Sequence, residues 1–135
     1  MPIYIPIKIE MNIESSKSDL VKLIWNEKEV ISYFSMQDIE NKYAEVRFKN
    51  VEIVRVLDEM ALSTEYEDEL NVGMVPEHFA YEVTGSTFWK QQSDAFKAVY
   101  GDVKHFRLIT GWTCLDVISA SFPEFRVADT VNIDI

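Results

Sequence analysis

One stretch organises the chain, Gly85-Ser86-Thr87-Phe88-Trp89-Lys90-Gln91-Gln92-Ser93-Asp94-Ala95-Phe96-Lys97-Ala98-Val99-Tyr100-Gly101. Side chains recur at a spacing of four along it: Phe88, Gln92, Phe96 and Tyr100. This period predicts one amphipathic helix over about residues 87–100, with an N-terminal cap near Ser86 and a stop at Gly101. We expect its aromatic face to cover a sheet, although such a stripe can also form the wall of a ligand pocket.

Outside this stretch the sequence alternates between apolar and polar residues, as strands do. Residues 3–13 alternate strictly, with Ile3 and Ile5 on the face expected to be buried, and Pro6 there predicts an edge strand. Hairpins are predicted about Glu27-Lys28, about Lys49-Asn50 and about Thr110-Gly111, and a single bulged strand is the alternative to the second. Two further strands are expected at residues 79–83 and 124–135.

These patterns predict an α+β fold with a mainly antiparallel, curved sheet of seven to nine strands and one principal helix packed on it. Sequential hairpins indicate a meander, and its curvature could bring it toward a barrel or a sandwich. At 135 residues the chain is expected to be a single domain, residues 1–135, without internal repeats. Neither a secretory signal nor a membrane span is found, so a cytoplasmic protein is the expectation.

Charge is the strongest compositional feature, because the chain carries a net charge of −10. Between Arg55 and Lys90 there is no Lys or Arg, and this interval holds eight acids: Asp58, Glu59, Glu65, Glu67, Asp68, Glu69, Glu77 and Glu82. Such a field repels phosphate backbones, so nucleic-acid binding is disfavoured, whereas a basic protein surface would be attracted. The predicted partner-binding residues are Asp58, Glu59, Glu65, Glu67, Asp68 and Glu69.

The most specific set of reactive residues lies in the last predicted hairpin. With a two-residue turn at Thr110-Gly111, Arg107 would oppose Cys114 and His105 would oppose Asp116, and all four would share one face. A His–Asp pair suits a general base and its orienting partner, and a thiol beside Arg107 could be an activated nucleophile. The competing interpretation is a structural cross-strand pair, since a slip of one residue would move every side chain to the other face.

No metal or cofactor is expected. The acidic run lacks the spacing of an EF-hand loop, and His78 has no second His or Cys nearby to complete a zinc site. Phosphate-binding glycine motifs and the G-x-S-x-G nucleophile motif are missing from the sequence. The single cysteine, Cys114, excludes an intrachain disulfide and is expected to be a small buried hydrophobe.

Three functions follow from these observations. In size, acidity and lack of catalytic motifs the chain resembles small bacterial inhibitor or immunity proteins, a resemblance of type that no residue motif carries. The first hypothesis is therefore a non-enzymatic acidic protein-binding domain that docks a basic partner. The alternatives are a small enzyme or ligand-binding domain that uses His105, Asp116 and Cys114, and a self-associating domain that pairs through the edge strand near Pro6.

Overall fold

A computed structural model describes residues 2–36, 42–64 and 72–129, which fold mainly into antiparallel sheet with few short helices. The strands are β1 (Ile3–Pro6), β2 (Leu20–Asn26), β3 (Glu29–Ser35), β4 (Tyr43–Phe48), β5 (Val51–Asp58), β6 (Ala80–Thr84), β7 (Lys104–Leu108), β8 (Thr113–Ser119) and β9 (Glu124–Ala128). The helices are α1 (Glu59–Thr64), α2 (Thr87–Lys90) and α3 (Asp94–Val99), and a 3-10 turn spans Ser15–Lys17.

The strands form two sheets that share one hydrophobic core. The five-stranded sheet has the order β1-β6-β7-β8-β5 and the four-stranded sheet has the order β2-β3-β4-β9. Because side chains alternate across a strand, each sheet contributes every second residue to the core. The four-stranded sheet supplies Val30, Phe34, Ala44, Val46 and Phe48, and the five-stranded sheet supplies Val51, Ala80, Phe106, Leu108, Leu115 and Val117.

The first strand is shorter than predicted, and its faces are reversed. It lies at a sheet edge, as Pro6 indicated, but Ile3 and Ile5 are exposed and Tyr4 is buried. The Tyr4 ring packs edge-on against Tyr81 at 5.3 Å between centroids, on the side of the sheet away from the shared core. The packing of Tyr4 against Tyr81 therefore decides which face of β1 is buried, and the alternation of isoleucines does not.

The outer edge of β1 is partly covered by the chain itself. The backbone N–H of Tyr4 donates to the carbonyl oxygen of Val72 at 2.7 Å, and a Cβ on Gly73, whose φ is +91°, would lie 2.0 Å from the Tyr4 carbonyl oxygen. Only glycine tolerates that conformation and that approach. A second copy of the chain pairing with this edge would have to displace Val72.

The hairpin predicted about Lys49-Asn50 is wrong. Residues on its two sides belong to different sheets, since β4 pairs with β3 and β9 whereas β5 pairs with β8. Such a hairpin would set Arg47 opposite Glu52, but Arg47 contacts Glu29 at 3.7 Å and Glu52 pairs with Lys28 at 2.8 Å. Asn50 has a φ of +56°, so the tight turn exists, but it passes the chain from one sheet to the other.

The helix predicted over residues 87–100 is instead two short helices, α2 and α3. The Ser93 hydroxyl accepts from the Phe96 backbone N–H at 3.0 Å and caps a new helix in the middle of the stretch, just as Ser86 caps α2. Serine competes with the helical backbone in this way. Of the aromatic face, only Phe88 is buried, while Trp89 and Phe96 are half-buried and Tyr100 is exposed.

The last hairpin has a longer loop than predicted. Arg107 pairs with Asp116 and His105 with Ile118, so the register is displaced by two residues from that of a two-residue turn at Thr110-Gly111. A shift of two keeps every side chain on its face. The first hairpin turns at Glu27-Lys28 as predicted, with Trp25 opposite Val30 and Ile24 opposite Ile31, and it has a bulge at Val21.

No helix among residues 2–36, 42–64 and 72–129 is long and apolar enough to cross a membrane. The strand predicted over residues 124–135 is observed as β9, and the part after Asp129 lies outside the described residues.

Candidate functional site

A buried polar network lies on the face of the five-stranded sheet that points away from the shared core. It consists of Arg55 on β5, Asp116 on β8, and Arg107 and His105 on β7. The registers put Arg55 and Arg107 on either side of Asp116, one on each neighbouring strand. Asp116 is thus paired across the sheet with Arg55 on one neighbouring strand and with Arg107 on the other, and its carboxylate lies between their guanidinium groups.

Asp116 accepts hydrogen bonds on both oxygens. Its Oδ1 accepts from His105 Nε2 at 2.6 Å and from Arg107 Nε at 2.7 Å. Its Oδ2 accepts from Arg55 Nη2 at 2.6 Å and from Arg55 Nε at 3.0 Å. Charge-assisted bonds of this length are the strong ones in proteins, and Asp116, Arg107 and His105 are all buried.

The network extends to two further elements. Arg107 Nη1 donates to the Tyr4 hydroxyl at 2.7 Å, which fixes β1, and His105 Nδ1 lies 2.8 Å from Ser86 Oγ, which fixes the start of α2. The Ser86 oxygen also accepts from the Trp89 backbone N–H at 3.1 Å. The Arg55 guanidinium lies 4.1 Å from the centroid of the Phe88 ring, so α2 is held by a cation–π contact as well.

The protonation states follow from burial and from these contacts. Burial, together with the positive charges of Arg107 and Arg55, lowers the pKa of His105 despite the opposing effect of Asp116, so the imidazole is neutral at pH 7. Burial alone would raise the pKa of Asp116, but its contacts with His105 and Arg107 outweigh burial and hold that pKa far below its usual range. A carboxylate can only accept, so the imidazole donates from Nε2, and Nδ1 accepts the Ser86 proton.

The connectivity Ser86–His105–Asp116 resembles that of a nucleophile, a base and a carboxylate, but the surrounding charges oppose that chemistry. Transfer of the Ser86 proton would create an imidazolium beside two guanidinium groups, while the one carboxylate is already neutralised by Arg55 and Arg107. Ser86 is also buried and caps α2 with the same oxygen. This arrangement favours holding β1, β5 and α2 on the sheet over reacting with a substrate.

Cys114 is on the same face but does not join the network. Its Sγ accepts from the Thr110 backbone N–H at 3.4 Å, and burial raises the pKa of the thiol. The thiolate that a nucleophile requires is therefore disfavoured. No set of three or more His, Cys, Asp or Glu side chains suited to a metal ion occurs within the described ranges.

A second arrangement forms at the end of the five-stranded sheet where β5 and β7 finish. The chain segments that meet at this end carry four acidic residues, which we call the acidic rim: Glu14, Asp58, Glu59 and Glu77. The Glu59 backbone N–H donates to the Trp112 carbonyl oxygen at 2.6 Å, and the Gly111 backbone N–H donates to the Ser18 carbonyl oxygen at 3.1 Å. The Ser15 backbone N–H donates to the Glu77 carbonyl oxygen at 3.2 Å. Backbone hydrogen bonds thus connect the four segments around Glu59, Trp112, Ser15 and Glu77.

Exposed apolar side chains lie beside Asp58 and Glu59 of the acidic rim. Trp112 is 58% exposed and Met60 is 71% exposed, and the contact between Glu59 and Trp112 places them in one area of surface. Lys17 is the only Lys or Arg in residues 14–19, 58–60, 75–78 and 110–113, and it contacts Glu14 at 3.4 Å. An exposed tryptophan beside charged side chains is typical of a docking surface.

The structure thus divides the predicted site residues into separate groups. His105, Arg107 and Asp116 are in direct contact, Cys114 is apart from them, and Asp58 and Glu59 lie in the acidic rim. The other predicted partner-binding residues, Glu65, Glu67, Asp68 and Glu69, lie outside the described residues. Five participants were not among the predicted site residues: Tyr4, Glu14, Arg55, Glu77 and Ser86. No local pattern links the first three or Ser86 to these sites, and Glu77 was noted only as one acid of the interval without Lys or Arg.

Comparisons of the chain with protein-family models, with curated proteins and with solved structures gave no match, so its function is argued from its own residues.

Proposed function

We propose that this protein is a non-enzymatic binding domain that docks a basic protein partner on the acidic rim. The observation that supports this most is the exposure of Trp112 and Met60 among the rim carboxylates Asp58 and Glu59. A large aromatic side chain supplies binding free energy on desolvation, and the surrounding charges steer a cationic surface toward it. The sequence adds four more acids directly after α1, at Glu65, Glu67, Asp68 and Glu69.

An inhibitor or immunity protein that neutralises a cationic toxin is the most concrete form of this proposal. Such a protein needs a rigid surface of one charge sign and no chemistry of its own. The neutral His105, with both ring nitrogens engaged, and the buried Cys114 fit that requirement. The alternative of a small enzyme would need Ser86 or Cys114 as a nucleophile, and the charges and burial described above oppose both.

The experiment is a pull-down from cells that produce the protein, with mass spectrometry of the captured proteins. Capture is compared at about 50 mM and about 500 mM salt, where the Debye length falls from roughly 14 to roughly 4 Å. We expect a basic protein that is captured at low salt and lost or weakened at high salt. Recovery of no basic protein at either salt concentration would overturn the proposal.

A matched pair of variants makes the assay specific for the acidic rim. Trp112→Ala removes the apolar centre of the rim, and Trp25→Ala removes a tryptophan that is 51% exposed in the β2–β3 hairpin, at the far end of the molecule. Capture of the same basic protein should be lost with Trp112→Ala and retained with Trp25→Ala. Equal capture by the two variants would place the docking surface elsewhere.

A further inference from the structure

The core-facing side of the five-stranded sheet is not covered across its whole width. Ile5 lies opposite Glu82 on β6, and Glu82 lies opposite Phe106 on β7, so the three side chains share one face. Phe106 belongs to the shared core, whereas Ile5 is 45% exposed and Ile3, on the same face of β1, is 47% exposed. At this end of the sheet the shared core therefore stops short of β1, and the face continues to the sheet edge as exposed surface.

Phe122, in the loop between β8 and β9, extends this exposed surface. It is 54% exposed, and its ring lies 5.2 Å from the ring of buried Phe106 between centroids. Lys104 Nζ lies 5.9 Å from the Phe122 centroid and 3.7 Å from Glu82 Oε2. We call these five side chains the neutral patch: Ile3, Ile5, Glu82, Lys104 and Phe122. Contiguous exposed apolar surface of this kind marks an interaction site.

The balance of charge on the neutral patch favours a second copy of the chain as its partner. Two copies that each carry a net charge of −10 repel one another, so they can associate only through a surface without net charge. The neutral patch holds one acid and one base. A two-fold axis brings identical surfaces together, so the acid of one copy can face the base of the other. A basic protein would gain no net attraction here.

We propose that two copies of the chain associate through the neutral patch as a two-fold symmetric dimer. Ile3, Ile5 and Phe122 would be removed from water between the copies, which supplies binding free energy. Glu82 of each copy would contact Lys104 of the other. At 3.7 Å the pair within one chain is longer than a direct hydrogen bond, so both groups keep the capacity to bond across the interface.

The backbone of β1 favours the face of the sheet over its edge as the contact. Ile7 N–H donates inward to β6 at 2.9 Å, whereas Tyr4 N–H donates outward to Val72, so the even-numbered residues direct their backbone groups to the outer edge. Pro2 and Pro6 have no N–H to direct there. Between these two prolines the one outward N–H is already bonded to Val72. A second strand would therefore find no free donor on this stretch of the edge.

This inference is independent of the proposed docking function. The neutral patch and the acidic rim share no residue. Glu82 lies near the end of β6 and Lys104 begins β7, whereas the acidic rim lies where β5 and β7 finish. Self-association and capture of a basic partner can therefore succeed or fail separately.

Sedimentation equilibrium of the full chain measures the association at protein concentrations of roughly 1–500 μM. The experiment is run at about 50 mM and about 500 mM salt. We expect a monomer–dimer equilibrium that is tighter at the higher salt concentration, because salt screens the repulsion between two net charges more than it screens a contact buried in the interface. Docking on the acidic rim has the opposite salt dependence, so the two interactions are distinguishable.

Charge exchange between Glu82 and Lys104 identifies the surface. Glu82→Lys places like charges across the interface, and so does Lys104→Glu, so each single variant should dimerise about tenfold or more weakly. A mixture of the two single variants restores both unlike pairs in the heterodimer. The double variant Glu82→Lys/Lys104→Glu restores them between identical copies. We therefore expect association in the mixture and in the double variant to exceed that of either single variant alone.

A matched pair of variants tests the apolar part of the neutral patch. Ile3→Ser/Ile5→Ser should weaken the dimer about tenfold or more, whereas Val21→Ser/Val56→Ser, at valines that are 48% and 46% exposed on β2 and β5, should leave it unchanged. Circular dichroism confirms that each variant is folded. Where a variant does not fold, NMR of the wild-type protein replaces it, and the backbone amide signals of Ile5 and Glu82 should shift as the protein is diluted.

Three results would overturn the proposal. The first is a monomer at every concentration in about 500 mM salt, where the net repulsion is screened. The second is a mixture of the single charge variants that associates no more than either variant alone. The third is equal association of the isoleucine and valine variants, or amide signals of Ile5 and Glu82 that do not change on dilution, which would place any dimer contact elsewhere.

Discussion

The protein concentrates charged groups in two regions, which differ in burial and in balance. In the buried network, Asp116 has no exposure and its charge is met by Arg55 and Arg107. In the acidic rim, Asp58 and Glu59 lie beside exposed Trp112, and Lys17 is the only Lys or Arg in residues 14–19, 58–60, 75–78 and 110–113. The first region satisfies its charges internally, while the second presents them to solvent.

This difference separates residues that serve the fold from residues available to a partner. Buried ion pairs lose solvation and persist only with complete partners, so they are sensitive to substitution. Exposed carboxylates of one sign contribute little to stability but set the rate and salt dependence of association. The buried network should therefore control stability and the acidic rim should control binding.

The same substitution in the two regions gives the largest expected contrast. Asp116→Asn leaves Arg107 buried without its counter-ion and should lower the free energy of unfolding by about 3 kcal/mol or more. Asp58→Asn should change it by no more than about 0.5 kcal/mol, because asparagine can also accept the Met60 N–H that Asp58 caps. Urea unfolding at pH 7 measures both. A loss below about 1 kcal/mol for Asp116→Asn would contradict the structural role of the network.

Acid should weaken the network in a defined pH window. The pKa of His105 is lower in the folded than in the unfolded protein, so the unfolded state binds more protons and stability is lost as the pH falls below about 6.5. The slope approaches about 1.4 kcal/mol per pH unit for one proton. Unfolding curves between pH 7.5 and 5.5 should show a smaller slope for His105→Gln than for the wild type, and equal slopes would contradict the assignment.

Asp116 adds a second acid-sensitive contribution at lower pH. Its folded pKa is depressed, so its contribution is present above the unfolded value near 3.9 and is lost as the pH falls below that value.

Removing an ion pair of intermediate burial should lower the free energy of unfolding by an intermediate amount. Glu45 is buried on β4 and accepts two bonds of 2.9 Å from the exposed Arg126, whose contact lowers the pKa of Glu45. Glu45→Gln should cost about 1 kcal/mol, between the values for Asp116→Asn and Asp58→Asn, because solvent screens one partner. A cost as large as that of Asp116→Asn would show that burial does not order these effects.

The smallest expected effect is the reaction of the Cys114 thiol in the folded protein. Because its thiol is buried and its pKa is raised, iodoacetamide at pH 8 should leave the folded protein unmodified while it alkylates the urea-unfolded chain. Mass spectrometry distinguishes the two states. Rapid alkylation of the folded protein would restore Cys114 as a candidate nucleophile.

The local alternation of apolar and polar residues explains which strand pairs and which shared faces could be predicted from the sequence. The pairs Trp25–Val30 and Ile24–Ile31 follow from a two-residue connection between two apolar strands. His105 and Asp116 were placed on one face although the register was wrong by two residues, because a shift of two preserves the face. Such patterns extend over a few residues, and that is the range over which they were informative.

The remainder depends on contacts between distant parts of the chain. Residues 44–57 alternate in the same way whether β4 and β5 pair with each other or lie in separate sheets. Tyr4 meets Arg107 across 103 positions, and Ser86 meets His105 across 19, without any local sign in the sequence. Glu14 joins the acidic rim only because the Ser15 backbone contacts Glu77.

The central claim is tested most directly by the salt dependence of partner affinity. The captured basic protein is titrated at several salt concentrations against the wild type, Asp58→Asn/Glu59→Gln in the acidic rim, and Glu27→Gln/Glu124→Gln, which removes two exposed charges at the opposite end. We expect the rim variant to bind about tenfold or more weakly at low salt and to show a shallower salt dependence, with the control unchanged. Equal affinities and equal salt slopes for the two double variants would contradict docking on the acidic rim.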